Sequence, residues 1–418
     1  MKITKNTDIL KKSHDMERKM LTLEKVQNAK KLLAGVIRKT DLIYAPDIAN
    51  TEIYLKAENL QTTGSFKVRG AYVKISQLSE EQKRKGIIAC SAGNHAQGVA
   101  LSAKKNNIEA TIFIPSTAPI SKIEATRKYG ATIRLVDGVY DDAYNEAVKF
   151  QKETGAEFIH PFDDIDVIAG QGTIALELLE QLPDIEAVIV PIGGGGLISG
   201  IAYTIKMLKP ECKVYGVQAT GAGSMYHSIE LHQRTELPKV STFADGTAVK
   251  MPGENTFKFC TKYVDEIVTV SDDETATAIL ALMEKQKLVA EGAGALSVAA
   301  AIFKKLPIEG KKTACIVSGG NIDVNILSRV INRGLLKTGR LSDLTIEMLD
   351  KPGQLKEVSQ IIADLGANVI RVRHNQGGEN TDINGCYLKI SMETKNLRHL
   401  CEIKNALCKA GYKVTNER

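Results

Sequence analysis

Tryptophan is absent from this chain of 418 residues, and aromatic residues of all kinds make up only 5% of it. No uninterrupted apolar run approaches the ~20 residues that a membrane-spanning helix needs. The first twenty residues are too polar to contain the apolar segment of a secretory signal. These absences argue against a membrane partner, and residues 1–20 are predicted to be an N-terminal extension.

Cysteine pairs are also missing, since the seven cysteines are scattered without a CxxC motif or a His/Cys spacing typical of a metal site. Dispersed thiols in odd number favour a reducing cytoplasm, and no metal is predicted. The net charge is +6 without a dense Lys/Arg run, so nucleic acid is not an expected partner. With 43% hydrophobic and 25% charged residues, the chain is typical of a globular protein of two or three domains.

What the chain does have is a regular alternation of apolar strands and helical segments. Continuous apolar strands separated by helices are typical of an α/β fold with a parallel sheet covered on both faces. Ligands of such sheets bind at the carboxyl ends of the strands, so the site is expected at that edge of one parallel sheet. The predicted elements are a helix at 22–34 and strands at 53–56, 86–90, 110–114, 132–136, 187–190, 213–217 and 313–317.

The pattern changes near residue 334. Residues 333–342 are predicted to be a connector, and residues 343–418 to form a separate, compact βαββαβ domain with a loop at 377–380. Its strands are expected at 344–349, 367–374, 386–392 and 412–415, and its helices at 353–365 and 396–410.

Lys67 is the first residue with possible chemistry. It lies at a predicted helix start, after a turn-forming run and between small and apolar neighbours. A lysine desolvated by such neighbours loses its proton readily and becomes a nucleophile. A solvated surface lysine is the common alternative, so other motifs must decide.

Residues 91–98, Ser-Ala-Gly-Asn-His-Ala-Gln-Gly, follow an apolar strand and open a helix. Their small side chains allow backbone N–H groups to converge on a carboxylate or phosphate at the positive end of the helix. A plain strand-to-helix turn with Asn94 as its cap is the alternative.

Four successive glycines, Gly193 to Gly196, follow another apolar strand and precede Leu197 and a helix. The entropy lost in fixing four glycines favours a phosphate-binding loop, with a tight packing turn as the alternative. No Gly-Lys-Ser/Thr follows, which excludes a Walker A loop, and the dinucleotide-binding GxGxxG spacing is only loosely matched.

Ser318 ends a further apolar strand, and Glu291 is a lone charge in a small, apolar run. The Ser318 hydroxyl either bonds a ring nitrogen at the sheet edge or caps a helix. Glu291 either belongs to the site or stabilises the first turn of a helix. An amine, two anion cradles and a hydroxyl are together what pyridoxal phosphate and an amino-acid carboxylate require.

In their order and intervals, these motifs resemble the fold-type-II pyridoxal-phosphate enzymes, specifically the threonine/serine dehydratases, over residues 22–330. The resemblance implies a catalytic domain at 21–332 with two parallel-sheet lobes, the smaller at roughly 65–160. It also implies that Lys67 holds the cofactor as a Schiff base, that Asn94 bonds its phenolic oxygen and that Ser318 faces its ring nitrogen. The implied cofactor contacts are Phe66, Lys67, Asn94, Gly193, Gly194, Gly195, Gly196, Leu197, Glu291 and Ser318, and the implied carboxylate site is Ser91, Ala92, Gly93, Asn94 and His95.

The C-terminal domain is similar to an ACT domain, because Asp350 to Leu355 matches the first strand-to-helix turn of that family. This implies a ferredoxin-like unit that pairs within a dimer or tetramer and binds an amino-acid effector such as isoleucine or valine. One such domain after the core resembles the medium-length threonine ammonia-lyases, which implies conversion of L-threonine, and of L-serine, to a 2-oxo acid and ammonia.

Other activities stay open at this point. Racemases of the same family place a serine where this chain has Ala92, and cysteine-synthase-like replacement would use the same site. A non-catalytic amino-acid sensor would depend on the ACT domain alone. A nicotinamide-dependent oxidoreductase would need an acidic residue for the ribose where this chain has Gln218.

Overall fold

The structure, a computed structural model, describes residues 20–376 and 383–416. It forms two compact units that divide between Val324 and Asn325. The loop predicted at 377–380 lies outside the described residues, as does the predicted N-terminal extension except for Met20.

The strands of the first unit alternate with helices along the chain, as the apolar pattern predicts. The strands are β1 (Leu42–Tyr44), β2 (Ile53–Lys56), β3 (Ile87–Cys90), β4 (Ala110–Pro115), β5 (Thr132–Val136), β6 (Glu157–Phe158), β7 (Ala187–Pro191), β8 (Lys213–Ala219), β9 (Glu266–Val270) and β10 (Thr313–Ile316). The helices are α1 (Leu23–Leu33), α2 (Lys67–Ser76), α3 (Glu80–Lys85), α4 (Asn94–Lys105), α5 (Ile120–Arg127), α6 (Tyr140–Thr154), α7 (Ile165–Gln181), α8 (Gly196–Leu208), α9 (Ser224–Glu230), α10 (Glu254–Tyr263), α11 (Asp272–Ala281) and α12 (Gly292–Ile302).

These strands form two sheets. The larger sheet has the order β1-β2-β10-β7-β8-β9, and the smaller has the order β5-β4-β3-β6. All pairings are parallel except that of β1 with β2. The expectation of one parallel sheet is therefore wrong, because an apolar run shows that a strand is buried but not which strand it pairs with. The two-lobed α/β fold implied by the family resemblance is confirmed.

Burial explains which strands the sequence revealed. Every residue of β3, β7 and β10 is buried, and Thr313 is the one polar residue among them. The strands that the sequence did not predict are β1, β6 and β9, which lie at sheet edges and are partly exposed. An edge strand needs less apolar surface, so its pattern is weaker.

The second unit has the predicted βαββαβ order. Its elements are α13 (Val324–Lys337), β11 (Leu341–Leu349), α14 (Gln354–Asp364), β12 (Asn368–Gln376), β13 (Gly385–Glu393), α15 (Leu397–Lys409) and β14 (Lys413–Asn416). The strands form one antiparallel sheet in the order β12-β13-β11-β14. The predicted connector at 333–342 is instead mostly regular structure, the end of α13 and the start of β11. Within the described ranges, no helix is both long and apolar enough to cross a membrane.

Candidate active site

Asn94 joins the two sheets of the first unit. It begins α4, directly after the small-sheet strand β3 and its loop. Its Oδ1 accepts a hydrogen bond of 2.5 Å from Asn321, and its Nδ2 donates one of 2.6 Å to Glu291. Asn321 follows the large-sheet strand β10, and Glu291 precedes α12. Three motifs from two sheets therefore meet at one amide side chain.

Backbone contacts of the two residues before Lys67 position the lysine near Ser318 and Gly319. The Phe66 N–H donates a hydrogen bond of 3.1 Å to the Ser318 carbonyl, and Ser65 pairs with Gly319 as an isolated antiparallel bridge. The Lys67 Nζ donates a hydrogen bond of 2.9 Å to the Pro161 carbonyl and lies 5.4 Å from the centre of the Phe66 ring. The lysine thus lies beside the loop that carries Ser318.

The Lys67 amine is easily deprotonated. Burial lowers its pKa from 10.5 to about 8, although the carboxyl of Glu291 acts in the opposite direction. A neutral amine can act as a nucleophile or a base, and Lys67 reaches this neutral form at a lower pH than an exposed lysine does.

Two glycines allow neighbouring helices to contact the start of α2. A Cβ at Gly98 of α4 would lie 3.1 Å from the carbonyl carbon of Lys67, and one at Gly170 of α7 would lie 2.7 Å from the Arg69 carbonyl oxygen. Because no side chain separates these backbones, the two helices fix the position of Lys67 directly.

A buried charge cluster holds α2 from its other side. Arg69 donates hydrogen bonds of 2.7 and 2.8 Å to Glu58 and one of 2.6 Å to Glu177. Lys56 of β2 donates one of 2.6 Å to Glu177 and lies wholly inside the protein with Arg69 and Glu58. Buried charges are tolerated only when they are paired in this way, so the cluster fixes α2 against β2 and α7.

Glu291 occupies the N-cap position of α12, but its side chain makes no cap hydrogen bond. It is buried, and its carboxyl accepts from Asn94 instead. Burial, reinforced by the negative charge of Asp245, raises its pKa to about 7. Its side chain therefore does not cap the helix by a hydrogen bond, and near neutral pH it holds a proton more readily than an exposed glutamate does.

The loop predicted to hold a carboxylate is open in its middle. Gly93 donates its N–H to Ser91 Oγ at 3.2 Å, and a Cβ at Gly93 would meet no atom within 4 Å. His95 is turned away, because its buried ring bonds the Ile159 carbonyl at 2.8 Å and burial lowers its pKa to about 3. Any contribution of His95 to anion binding must come from its backbone. Ala92 packs against the core of the small lobe.

The four glycines form the turn between β7 and α8. Gly195 has a φ of +99°, which a residue with a Cβ rarely adopts. A Cβ at Gly194 would overlap the Phe162 ring, and one at Gly195 would lie 2.7 Å from the Thr256 side chain. These contacts require glycine, so packing against Phe162 and Thr256 fixes the conformation of the loop. The loop leads into the N-terminus of a 13-residue helix. Leu197, in the first turn of that helix, is buried.

Asp163 positions the neighbours of the glycine loop. Its carboxylate accepts from the backbone N–H groups of Glu254, Asn255 and Thr256 at 2.9 to 3.1 Å. The Thr256 hydroxyl in turn donates a hydrogen bond of 2.6 Å to the Gly194 carbonyl. Asp163 lies two residues after Pro161, whose carbonyl accepts a hydrogen bond from Lys67. The short segment 161–163 therefore contacts both the lysine and the glycine loop.

Ser318 is buried, and its hydroxyl donates a hydrogen bond of 3.3 Å to the Ala293 carbonyl. The next helix begins only at Val324, so the alternative of a helix N-cap is wrong. A serine oxygen retains acceptor capacity after donating one hydrogen bond, which is what a ring nitrogen partner needs.

The sequence did not reveal Pro161, Phe162, Asp163 or Thr256 as parts of this site. Pro161 acts through its backbone carbonyl and Phe162 through the face of its ring. Asp163 caps a helix and Thr256 donates from its hydroxyl, and none of these four roles has a local sequence pattern.

Comparison with known proteins agrees with this geometry. A family profile described as "Pyridoxal-phosphate dependent enzyme" matches residues 33–319. The chain is 50% identical over 398 residues to the L-threonine ammonia-lyase of Thermotoga maritima, covering 94% of this chain and 99% of that relative. It is 45% identical over 340 residues to a catabolic L-threonine dehydratase of Staphylococcus aureus, covering 80% of this chain and 97% of that relative.

A solved structure shares the fold as well. Maize serine racemase superposes with a TM-score of 0.71 and is 35% identical, covering 75% of this chain and 98% of the racemase. The similarity therefore reaches members of the family with more than one activity.

Proposed function

Because this chain belongs to the family of pyridoxal-phosphate dependent enzymes, we propose that it converts L-threonine to 2-oxobutanoate and ammonia by β-elimination, and L-serine to pyruvate and ammonia. The match along almost the full length of an L-threonine ammonia-lyase carries this choice of substrate. One methyl group is worth only about 1–3 kcal/mol of selectivity, so activity on both amino acids is expected.

The donor set of the site fits pyridoxal phosphate. Lys67 supplies an amine of lowered pKa, and Gly193 to Gly196 with Leu197 supply backbone N–H groups at a helix N-terminus for the phosphate. Asn94 supplies an amide for the phenolic oxygen, and Ser318 a hydroxyl for the ring nitrogen. When bound, the cofactor supplies a conjugated ring that withdraws electrons from the Cα of the amino acid.

Lys67 is the proton acceptor in this proposal. Its amine is neutral in a large fraction near pH 8, and the Pro161 carbonyl holds its Nζ in one orientation. The N–H groups of residues 91–95 bind the substrate carboxylate and so fix which bond at Cα faces the lysine. Loss of the β-hydroxyl as water, and later hydrolysis of the released product, complete the stated reaction.

Ser318 and Ala92 support elimination over the other reactions of this family. A serine hydroxyl does not hold a ring nitrogen protonated as a carboxylate would, which weakens electron withdrawal and favours prompt departure of the hydroxyl. A second proton donor on the opposite face of Cα would serve racemisation, and Ala92 has no proton to give.

The test is to supply purified enzyme with L-threonine or L-serine and quantify 2-oxo acid, ammonia and the D-amino acid. We expect one ammonia per 2-oxo acid and little D-isomer. A parallel reaction with O-acetylserine and sulfide covers β-replacement, and a high yield of cysteine with little 2-oxo acid would contradict the proposal. Accumulation of the D-isomer as the main product would contradict it equally.

In this proposal the second unit contains an ACT-like regulatory domain at 343–418, which binds isoleucine or valine within a homo-oligomer, either a dimer or a tetramer. Its sheet order β12-β13-β11-β14 and its strand-to-helix turn at Gly353, with φ +95°, support this reading. A cytoplasmic location is supported by the seven cysteines, all of which are free thiols.

A further inference from the structure

Three potential metal ligands meet in the second unit, far from one another in sequence. They are Asp350, His374 and Cys386, and one ligand atom from each lies within 4.8 Å of the others. Cys386 is buried, whereas Asp350 and His374 are partly exposed at the surface. Since each residue comes from a different part of the chain, no local spacing could have predicted the cluster.

The register of the sheet places the three side chains on one face. Cys386 of β13 pairs with Met348 of β11 on one side and with Gln376 of β12 on the other. Paired residues share a face of a sheet, and residues two apart on a strand do so as well. His374, two residues before Gln376, therefore lies on the same face as Cys386. Asp350 comes directly after β11, and its N–H donates a hydrogen bond of 2.8 Å to the Asn384 carbonyl, which extends the pairing with β13 by one residue and places Asp350 on that face as well.

The carboxylate is already oriented toward the imidazole. Its Oδ2 accepts a hydrogen bond of 2.6 Å from Gln376 Nε2, while its Oδ1 lies 3.7 Å from His374 Nε2. A hydrogen bond that fixes one carboxylate oxygen and directs the other at a shared point is the usual support of a metal ligand. Two ligand atoms about 2.0–2.1 Å from a tetrahedral Zn²⁺ lie about 3.3–3.4 Å apart, so small rotations of the exposed side chains suffice.

We propose that Asp350, His374 and Cys386 bind one Zn²⁺, or a similar borderline transition-metal ion, with water in the fourth position. Carboxylate oxygen, imidazole nitrogen and thiolate sulfur form a donor set that Zn²⁺ accepts, whereas a sulfur ligand disfavours Mg²⁺ and Ca²⁺. On binding, the Cys386 thiol releases its proton to solvent and the sulfur bonds the metal. The ion would join β12, β13 and the residue that follows β11 at one end of the sheet.

The test uses the full-length protein carrying Cys401→Ser and Cys408→Ser, which removes the two exposed thiols. Equilibrium dialysis against Zn²⁺ is expected to give one bound ion per chain. His374→Gln should weaken binding more than about tenfold, since it removes a ligand. The matched control is His227→Gln, which changes a half-exposed histidine of the first unit and should leave binding unchanged.

X-ray absorption of the zinc-loaded protein gives a second readout that does not depend on a variant that folds. One sulfur neighbour at about 2.3 Å with nitrogen or oxygen neighbours at about 2.0–2.1 Å is expected. Absence of sulfur from the first shell would overturn the proposal, as would equal zinc binding by His374→Gln and its control. Failure of the protein to bind zinc in dialysis would also overturn it.

Discussion

At the scale of single residues, burial moves the pKa values of Lys67 and Glu291 toward each other, to about 8 and about 7. Burial disfavours the charged form of both groups, so the amine loses its proton more easily and the carboxyl less easily. The sequence identified both residues as candidates because each is unusual among its neighbours. It could not predict their pKa values, which depend on burial by segments distant in the chain.

Lys67 makes the uptake of cofactor by apoenzyme pH-dependent. Only the neutral amine can attack the aldehyde, so the rate should rise with pH and level off above a midpoint near 8. Stopped-flow absorbance of apoenzyme mixed with pyridoxal phosphate, from pH 6 to 10, measures this midpoint. An ordinary lysine would place the midpoint near 10.5, and that result would contradict the assignment.

Glu291→Gln is the matched variant for this experiment. The negative charge of Glu291 raises the pKa of Lys67, so removing it should move the midpoint to lower pH. The amide retains an oxygen that can accept from Asn94, which preserves the local hydrogen bond. A midpoint that moves upward would show that the two groups do not interact as described.

At the scale of helices and strands, the apolar pattern predicted the buried centre of each sheet and the edge strands β5, β12 and β14. It predicted neither the edge strands β1, β6 and β9 nor the pairing of strands into two sheets. The close contacts between helices could not be predicted either. A glycine within a helix lowers helix stability, and its benefit becomes clear only when the neighbouring backbone that packs against it is known. Gly98 and Gly170 are of this kind. The turn at Gly193 to Gly196 was predictable because four successive glycines follow an apolar strand and precede a helix, whereas its phosphate-binding role stays a prediction.

Gly98→Ala tests whether α4 positions the lysine. The new Cβ would lie 3.1 Å from the Lys67 backbone, so α2 must shift by a few tenths of an ångström. Small misplacements of catalytic groups are costly, and we expect turnover to fall about tenfold to a hundredfold with the fold retained. Steady-state kinetics and circular dichroism together measure this.

The control is Gly223→Ala, whose Cβ would meet its nearest atoms at an ordinary distance of 3.7 Å. Its turnover should match that of the unaltered enzyme. If both variants lose activity alike, the loss reports a general intolerance of alanine and not the position of Lys67.

At the scale of the whole molecule, the family match ends at residue 319, before the second unit begins at Asn325. The sequence predicted two parts and their secondary-structure order because the alternation of strand and helix changes there. The sequence pattern changes near residue 334, whereas the structure divides at Asn325. The difference arises because α13 is a helix and has no apolar strand pattern that would mark the start of the second unit. The sequence could not predict the ligands of the proposed zinc site, because only the register of the sheet brings them together.

Removal of residues 342–418 should separate catalysis from regulation. Every predicted cofactor contact lies in the first unit, so the shortened enzyme should keep turning over L-threonine. Any response of the full-length enzyme to isoleucine or valine should disappear. Initial rates with and without each amino acid measure this, and an effector response that survives would locate the effector site within residues 1–341.

The central claim is that Lys67 carries pyridoxal phosphate, and borohydride reduction of the purified enzyme tests it most directly. Reduction fixes the cofactor to the amine that holds it, and peptide mass spectrometry then identifies the labelled lysine. The account predicts a pyridoxyl group on Lys67, with neither label nor turnover in Lys67→Ala. A label on another lysine, or none on Lys67 in an active preparation, would contradict it.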